Sequence, residues 1–113
     1  MNKFEAKSVA LGNGWEQCLG LSLTNSKYCE SVPTGRLEMY LNIGYELSFD
    51  NETDDHATLE LQHWKPSTAH PPVASRKCYF RHMTEDRFRE WLAKTADELL
   101  EIGREQSKNG KLP

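Results

Sequence analysis

The fold is decided by residues 36–49, RLEMYLNIGYELSF, in which an apolar residue occupies every odd-numbered position. Successive side chains of a strand point to opposite faces, so a period of two predicts one long strand with one buried face. The even-numbered positions form the opposite face, which we expect to contact solvent or a partner. The residues of that face are Arg36, Glu38, Tyr40, Asn42, Gly44, Glu46 and Ser48.

A second alternating run lies downstream, from His56 to Trp64, and its apolar positions are Ala57, Leu59 and Leu61. Between the two runs, residues 50–55 are all polar and are rich in the Asp and Asn that favour turns. We therefore predict a central β-hairpin over residues 36–64.

The register of this hairpin follows from the need to bury both apolar sets on one face, which leaves only every second register available. One such register sets Glu46 opposite Glu60, where like charges repel. Another sets Tyr40 opposite Trp64, and a cross-strand aromatic pair is typically stabilising. We predict the second register, which gathers on the outer face Tyr40, Trp64, Asn42, Gln62, Glu38 and Glu60.

The N-terminal part of the chain also carries strand signals. Residues 15–24 place leucines at alternate positions, and the preceding Gly12-Asn13-Gly14 contains the Asn-Gly pair that favours tight hairpin turns. We therefore predict an N-terminal hairpin over residues 1–24, with residues 3–11 as the partner strand. A short helix is the alternative for residues 3–11, because Ala6, Val9, Ala10 and Leu11 also suit helical spacing.

Downstream of the central hairpin, three prolines mark residues 65–75 as a proline-rich loop, and residues 76–82 are predicted as a further strand. Thr84 is expected to cap a helix over residues 84–103, with Gly103 as its C-cap, although Gly110 would permit an extra turn. The core-facing stripe of this helix consists of Phe88, Trp91, Leu92, Thr95, Leu99 and Ile102, whereas Leu100 lies outside the stripe and is expected to be exposed.

Together these elements predict a single α+β domain over residues 1–113. We expect an antiparallel sheet of about four to five strands, two hairpins plus an additional strand, packed against one C-terminal amphipathic helix. The formal net charge of −3 argues against a general affinity for nucleic acid. Because the sequence shows no bilayer-spanning apolar run and no signal peptide at its start, we expect a cytoplasmic protein.

The residues that usually carry chemistry do not form a known motif. Cysteines 18, 29 and 78 are widely spaced and fit neither a disulfide framework nor a zinc site, so we expect buried thiols. The histidines lack metal-ligand spacing, and the acidic turn lacks the Gly and Glu that a calcium loop requires. We therefore predict no catalytic residue, metal or cofactor. A small enzyme with a site assembled from distant residues stays open as a third hypothesis.

A basic and aromatic stretch over residues 76–89 supports a second hypothesis, in which the protein is a nucleic-acid-binding accessory protein. Aromatic side chains on a sheet stack bases while neighbouring cations contact phosphates. Glu85, Asp86 and Glu90 weaken this interpretation because they dilute the positive charge. The candidate contact residues are Arg76, Lys77, Tyr79, Arg81, Arg87 and Arg89.

The leading hypothesis is protein binding through the outer face of the central hairpin, because aromatic residues like Tyr40 and Trp64 are enriched in interface hot spots. The turn beyond them is strongly acidic, which suits a partner with a basic surface. By analogy with other small acidic α+β proteins, we expect an inhibitor or accessory protein of the phage, mobile-element or immunity type. The predicted contact residues are Tyr40, Trp64, Glu38, Glu60, Gln62, Asp50, Glu52, Asp54 and Asp55. Whether another element covers the two aromatics, and whether the protein is a dimer, stays open.

Overall fold

The structure is a computed structural model that describes residues 1–18, 20–47, 53–66 and 72–113, with the backbone alone at residues 45–47, 53 and 54. Its elements, in chain order, are α1 (Lys3–Leu11), β1 (Glu16–Gln17), β2 (Leu23–Thr24), a 3-10 turn (Ser26–Tyr28), β3 (Glu30–Val32), β4 (Gly35–Leu47), β5 (Thr53–Trp64), β6 (Ala74–Tyr79) and α2 (Glu85–Lys108).

The strands form one antiparallel sheet in the order β1-β2-β4-β5-β6, and β3 also pairs with β4. Strands β2 and β3 share one edge of β4, since β2 pairs with Tyr40 and Leu41 while β3 pairs with Gly35 to Leu37. An antiparallel sheet packed with a C-terminal helix confirms the predicted α+β fold.

The central hairpin has the predicted facing but not the predicted register. Leu37, Met39 and Leu41 of β4 are fully buried, as are their counterparts on the same face of β5. However, Tyr40 stands opposite Glu60, and Trp64 stands opposite Arg36. The predicted register was wrong because Thr53 to Asp55, which we assigned to the turn, already belong to β5.

The N-terminal segment is a helix, so the predicted partner strand at residues 3–11 is wrong and the alternative is confirmed. Asn2 caps α1 by accepting a hydrogen bond from the backbone N–H of Glu5, and Ala6, Val9 and Ala10 are buried at helical spacing. Residues 15–24 do not form one strand either. They fold back on themselves, so that Glu16 of β1 pairs with Thr24 of β2.

The C-terminal helix begins as predicted, since the Thr84 hydroxyl accepts a hydrogen bond from the N–H of Arg87. It continues past Gly103 to Lys108, so the predicted C-cap at Gly103 is wrong. A Cβ atom on Gly103 would lie 2.5 Å from Leu61 Cδ2 and 3.0 Å from Leu37 Cδ1, and the glycine therefore allows α2 to approach the sheet closely. Leu100 is buried, contrary to our expectation.

The additional strand, β6, is displaced from its predicted position. It begins at Ala74 and ends at Tyr79, and His82 lies in a turn with a left-handed φ of 64°. Residues 67–71 of the predicted proline-rich loop lie outside the described part of the chain. The backbone N–H of Val73, just before β6, donates to the Leu61 carbonyl at 2.8 Å and so joins this segment to the sheet.

Both helices pack on the same face of the sheet. The buried residues of α1 and α2 form one cluster with the odd-numbered residues of β4 and β5, and Phe80 meets Phe88 of α2 edge to face with centroids 5.3 Å apart. Consequently, none of the described helices covers the other face, which the even-numbered residues of β4 and β5 form.

Candidate functional site

We call this surface, which neither α1 nor α2 covers, the outer face. Because His56 pairs with Tyr79 and Thr58 with Lys77, the odd-numbered residues of β6 extend it. Its described side chains are those of Arg36, Glu38, Tyr40, Asn42, His56, Thr58, Glu60, Gln62, Trp64, Ser75, Lys77 and Tyr79.

Tyr40 and Trp64 form an aromatic pair on the outer face. Their ring centroids are 6.5 Å apart and the rings are tilted by 58°. Trp64 is 46% exposed, so about half of its surface is available for a further contact. Burial raises the pKa of the Tyr40 hydroxyl, the Glu38 carboxylate adds to the effect, and a hydrogen bond with Trp64 opposes it. The hydroxyl therefore stays protonated at neutral pH.

Polar side chains around the aromatic pair are held by contacts within their own strands. Arg36 Nε donates to Glu38 Oε1 at 2.6 Å, and Gln62 Nε2 donates to Glu60 Oε2 at 2.6 Å. Successive outer-face residues of a strand are two positions apart, which brings these partners together. The aromatic pair is therefore surrounded by polar groups that already have hydrogen-bond partners.

The predicted acidic residues are not all brought to this face. Asp50 and Glu52 lie outside the described residues, and Asp54 is described by its backbone in β5. The side chain of Asp55 lies on the helix-covered face, where its Oδ2 accepts a hydrogen bond from the backbone N–H of Lys3 at 3.1 Å. Asp55 therefore satisfies a donor in the first turn of α1, where a negative charge also interacts favourably with the helix dipole.

Cys29 supports the strand that carries Tyr40, a role that the sequence did not indicate. Its thiol lies in the gap between β2 and β3, where the sulfur accepts a hydrogen bond from the Met39 N–H at 3.5 Å. Thr24 Oγ1 donates to the Met39 carbonyl at 2.7 Å. Met39 pairs with Leu61 of β5 on one side, and on its other side neither β2 nor β3 pairs with it. The side chains of Cys29 and Thr24 thus satisfy its backbone N–H and carbonyl on that side. Burial raises the pKa of Cys29.

Two of the candidate nucleic-acid contacts, Lys77 and Tyr79, lie together on the outer face. The Lys77 ammonium is 5.8 Å from the Tyr79 ring centroid, and Tyr79 packs against His56 with centroids 5.8 Å apart. Arg76 points to the opposite face and pairs with Glu98 of α2 at 3.2 Å.

The other candidate cations are on different elements. Arg81 lies in the turn after β6, and Arg87 and Arg89 lie in the first turns of α2, where Arg89 pairs with Asp86 at 2.6 Å. The structure thus spreads the basic stretch over the outer face, the helix-covered side and a turn.

His63 lies on the helix-covered face and is buried, with its ring hydrogen-bonded at both nitrogens. Nε2 is 2.9 Å from the Thr34 hydroxyl, and Nδ1 is 2.8 Å from the Pro113 carbonyl oxygen. Because a carbonyl only accepts, Nδ1 carries the proton in this arrangement. Within residues 1–18, 20–47, 53–66 and 72–113, no group of three or more His, Cys, Asp or Glu is placed to hold a metal ion.

Comparison of the chain with protein-family models, curated proteins and solved structures gives no significant match. Neither described helix is long and apolar enough to cross a membrane. The geometry of the outer face is therefore the main indication of function.

Proposed function

We propose that this chain is a non-enzymatic protein-binding module that contacts its partner through the outer face around Tyr40 and Trp64. The observation that supports this most strongly is the half-exposed Trp64 ring packed against Tyr40 on a face that no described helix covers. Trp and Tyr are enriched among the few residues that dominate interface energetics. A ring already held in place loses little conformational freedom on binding.

The polar surroundings of the aromatic pair match the anatomy of an interface, in which a desolvated centre is enclosed by a polar rim. Glu38 and Glu60 each accept a hydrogen bond from a residue of the same strand, so the carboxylates of this rim are already paired. Within the described outer face, the positive charges of Arg36 and Lys77 balance the negative charges of these two carboxylates. The proposed basic character of the partner therefore depends on the acidic sequence of residues 50–54.

The proposed biological class is an analogy from size and charge. A chain of 113 residues with a net charge of −3 and a ready-made binding face suits a small inhibitor or accessory protein. Proteins of phage, mobile-element or immunity type that block a larger partner have this general form, and the assignment is an analogy at that level.

Affinity capture tests the proposal. Purified wild-type protein, Trp64→Ala and Leu11→Ala are immobilised and exposed to lysate of the native host over a salt series. Leu11 is the matched control because it is 47% exposed but lies on α1, away from the outer face. We expect a protein that is retained by the wild type and by Leu11→Ala and is lost from Trp64→Ala. Equal retention by all three baits contradicts the proposal.

A further inference from the structure

Trp64 is the last residue of β5, and it forms the last pair of the β4–β5 ladder with Arg36, the second residue of β4. Strand ends are where a ladder opens most readily. The position of the indole beside Tyr40 therefore depends on contacts that hold this end of β5 in place.

The preceding residue, His63, makes such contacts from the helix-covered face. It is only 3% exposed, and the Thr34 hydroxyl donates to its Nε2 at 2.9 Å while its Nδ1 donates to the Pro113 carbonyl oxygen at 2.8 Å. Successive side chains of a strand point to opposite faces. A fixed orientation at His63 therefore also fixes the direction in which the Trp64 side chain leaves the backbone.

The turn between β3 and β4 holds the same strand end at a second point. Thr34 belongs to this turn, and the next residue, Gly35, lies directly against Trp64. A Cβ atom on Gly35 would overlap the Trp64 carbonyl oxygen, so this close approach requires glycine. The turn thus contacts His63 through Thr34 and Trp64 through Gly35.

The chain reverses its direction at the end of α2. The N–H of Gly110 donates to the Ser107 carbonyl at 3.1 Å and the N–H of Lys111 donates to the Gln106 carbonyl at 2.8 Å, which is the hydrogen-bond pattern of a Schellman motif. The motif needs a left-handed residue after the cap, and Gly110 has a φ of 66°. We call residues 110–113, which lead back to the sheet, the C-terminal strap.

The C-terminal strap lies beside the β3–β4 turn. Leu112 is partly buried against the core, and Pro113 accepts the hydrogen bond from His63. Between the strap and the turn is a cavity of about 80 Å³, lined in part by Thr34 and Leu112. The strap, the turn and the end of β5 thus meet at His63.

We propose that the C-terminal strap and the β3–β4 turn set the position of Trp64 through His63, so that docking of the strap controls the outer face. His63 is a positioning residue, because it acts on Trp64 from the opposite side of the sheet. This regulatory role rests on the proposed outer-face function. By linkage, a partner that binds the positioned Trp64 also stabilises the docked strap.

Hydrogen exchange of the Trp64 indole N–H, measured by NMR on the free protein, tests the proposal. The hydrogen bond between Trp64 and Tyr40 makes this exchange sensitive to the position of the ring. The resonance is identified by its absence from Trp64→Phe. Exchange is then compared between wild type and variants of the turn and the strap.

Thr34→Val leaves the buried Nε2 of His63 without its donor, and Gly110→Ala misdirects the strap through its left-handed φ without altering His63. We expect the indole N–H to exchange at least about fivefold faster in both variants, the effect of losing about one net hydrogen bond. Thr34→Ser keeps the hydroxyl and is expected to exchange like wild type.

Val9→Ala is the control for general destabilisation. Val9 is a buried residue of α1 beside Glu85 and Arg89, at the end of α2 opposite to the strap. Its truncation is expected to lower the free energy of unfolding and to leave the indole exchange unchanged. Wild-type exchange in either Thr34→Val or Gly110→Ala overturns the proposal. Equally fast exchange in Val9→Ala also overturns it, because the effect is then not specific to the strap.

Affinity for the captured partner separates the strap from the outer-face function. Thr34→Val is expected to bind that partner at least about fivefold more weakly, and Thr34→Ser is expected to bind it like wild type. A partner that depends on Trp64 but binds Thr34→Val with wild-type affinity overturns control by the strap. Capture that does not depend on Trp64 contradicts the outer-face function alone, since the indole exchange is measured without a partner.

Discussion

Trp64 stands opposite Arg36 in the β4–β5 ladder, yet its indole ring packs against Tyr40, four residues further along β4, with ring centroids 6.5 Å apart. The side chain therefore lies along the twisted face of the sheet instead of standing over its direct neighbour. The two rings are tilted by 58°, and nearly half of Trp64 stays exposed. This is the arrangement on which the proposed binding function depends.

Leu41 and Ile43 belong to the same apolar alternation, but their truncation is expected to lower the free energy of unfolding by different amounts. Leu41 is fully buried, so Leu41→Ala is expected to lower the free energy of unfolding by about 2–4 kcal/mol. Ile43 is only partly buried against the core, and its truncation is expected to cost less. Glu38→Ala is expected to cost no more than about 1 kcal/mol, the range for an exposed ion pair. Urea denaturation gives the ranking, and a larger loss for Glu38 than for Leu41 contradicts the assigned facing.

Gly103→Ala is expected to destabilise the protein although alanine favours helices more than glycine does. The added Cβ overlaps Leu61 and approaches Leu37, and overpacking of this kind typically costs about 1–3 kcal/mol. Gly110→Ala is not a suitable control, because Gly110 has a positive φ of 66°. Ser107→Ala, in the same helix, serves instead. A thermal midpoint for Gly103→Ala at or above that of wild type shows that the helix does not approach the sheet this closely.

The long alternation in β4 made the central hairpin and its buried face predictable, because burial of Leu37, Met39 and Leu41 dominates that region. The register was not predictable, since it depends on where the connection ends. The polar residues Thr53 to Asp55 have the composition of a turn. In the structure they belong to β5, and Asp55 accepts a hydrogen bond from the N–H of Lys3. The register therefore depends on contacts between segments that are distant in the sequence.

The N-terminal helix and the end of α2 were missed for similar reasons. Asn-Gly is a local turn signal, but α1 is selected by packing Ala6, Val9 and Ala10 on the core. Gly103 resembles a cap in sequence and is instead a close-packing residue. The contact between Tyr40 and Trp64 was predictable from the sequence, whereas their positions in the ladder were not, because Trp64 stands opposite Arg36.

The buried Cys78 thiol predicts a loss of stability at high pH. Burial raises its pKa from 9.0 to about 11, while a hydrogen bond with the backbone of Ala57 acts in the opposite direction. The unfolded chain therefore loses this proton first. The contribution of Cys78 is present in full below about pH 9 and is lost as the pH rises to about 11.

Urea titrations at intervals over this range measure the effect. The free energy of unfolding is expected to fall by about 2 kcal/mol more in wild type than in Cys78→Ala. Cys78→Ala also removes the volume of the thiol, which changes the stability at every pH. The two proteins are therefore compared by how steeply the free energy of unfolding falls with pH, and not by its absolute value. Parallel curves for the two proteins contradict the buried, protonated thiol.

Oligonucleotides are expected not to be retained. Arg76 and Arg89 are each paired with a carboxylate, and the basic residues are spread over different surfaces. Specific binders typically show affinities of about 10⁻⁸ to 10⁻¹¹ M at physiological salt. Gel-shift titrations with single- and double-stranded probes measure this directly. A sub-micromolar complex that is lost on combining Arg76→Ala, Lys77→Ala and Arg81→Ala supports nucleic-acid binding instead.

The most direct test of the outer-face interface is the dissociation constant of the captured partner for Trp64→Ala, measured by surface plasmon resonance beside the unfolding curve of the same variant. Tyr79→Ala is the matched control, because Tyr79 is similarly exposed on the same face but packs against His56, away from Tyr40. We predict that Trp64→Ala folds and binds at least about thirtyfold more weakly, through faster dissociation, while Tyr79→Ala changes affinity by less than about threefold. A folded Trp64→Ala that binds with wild-type affinity contradicts the account, and a variant that unfolds shows that Trp64 belongs to the core.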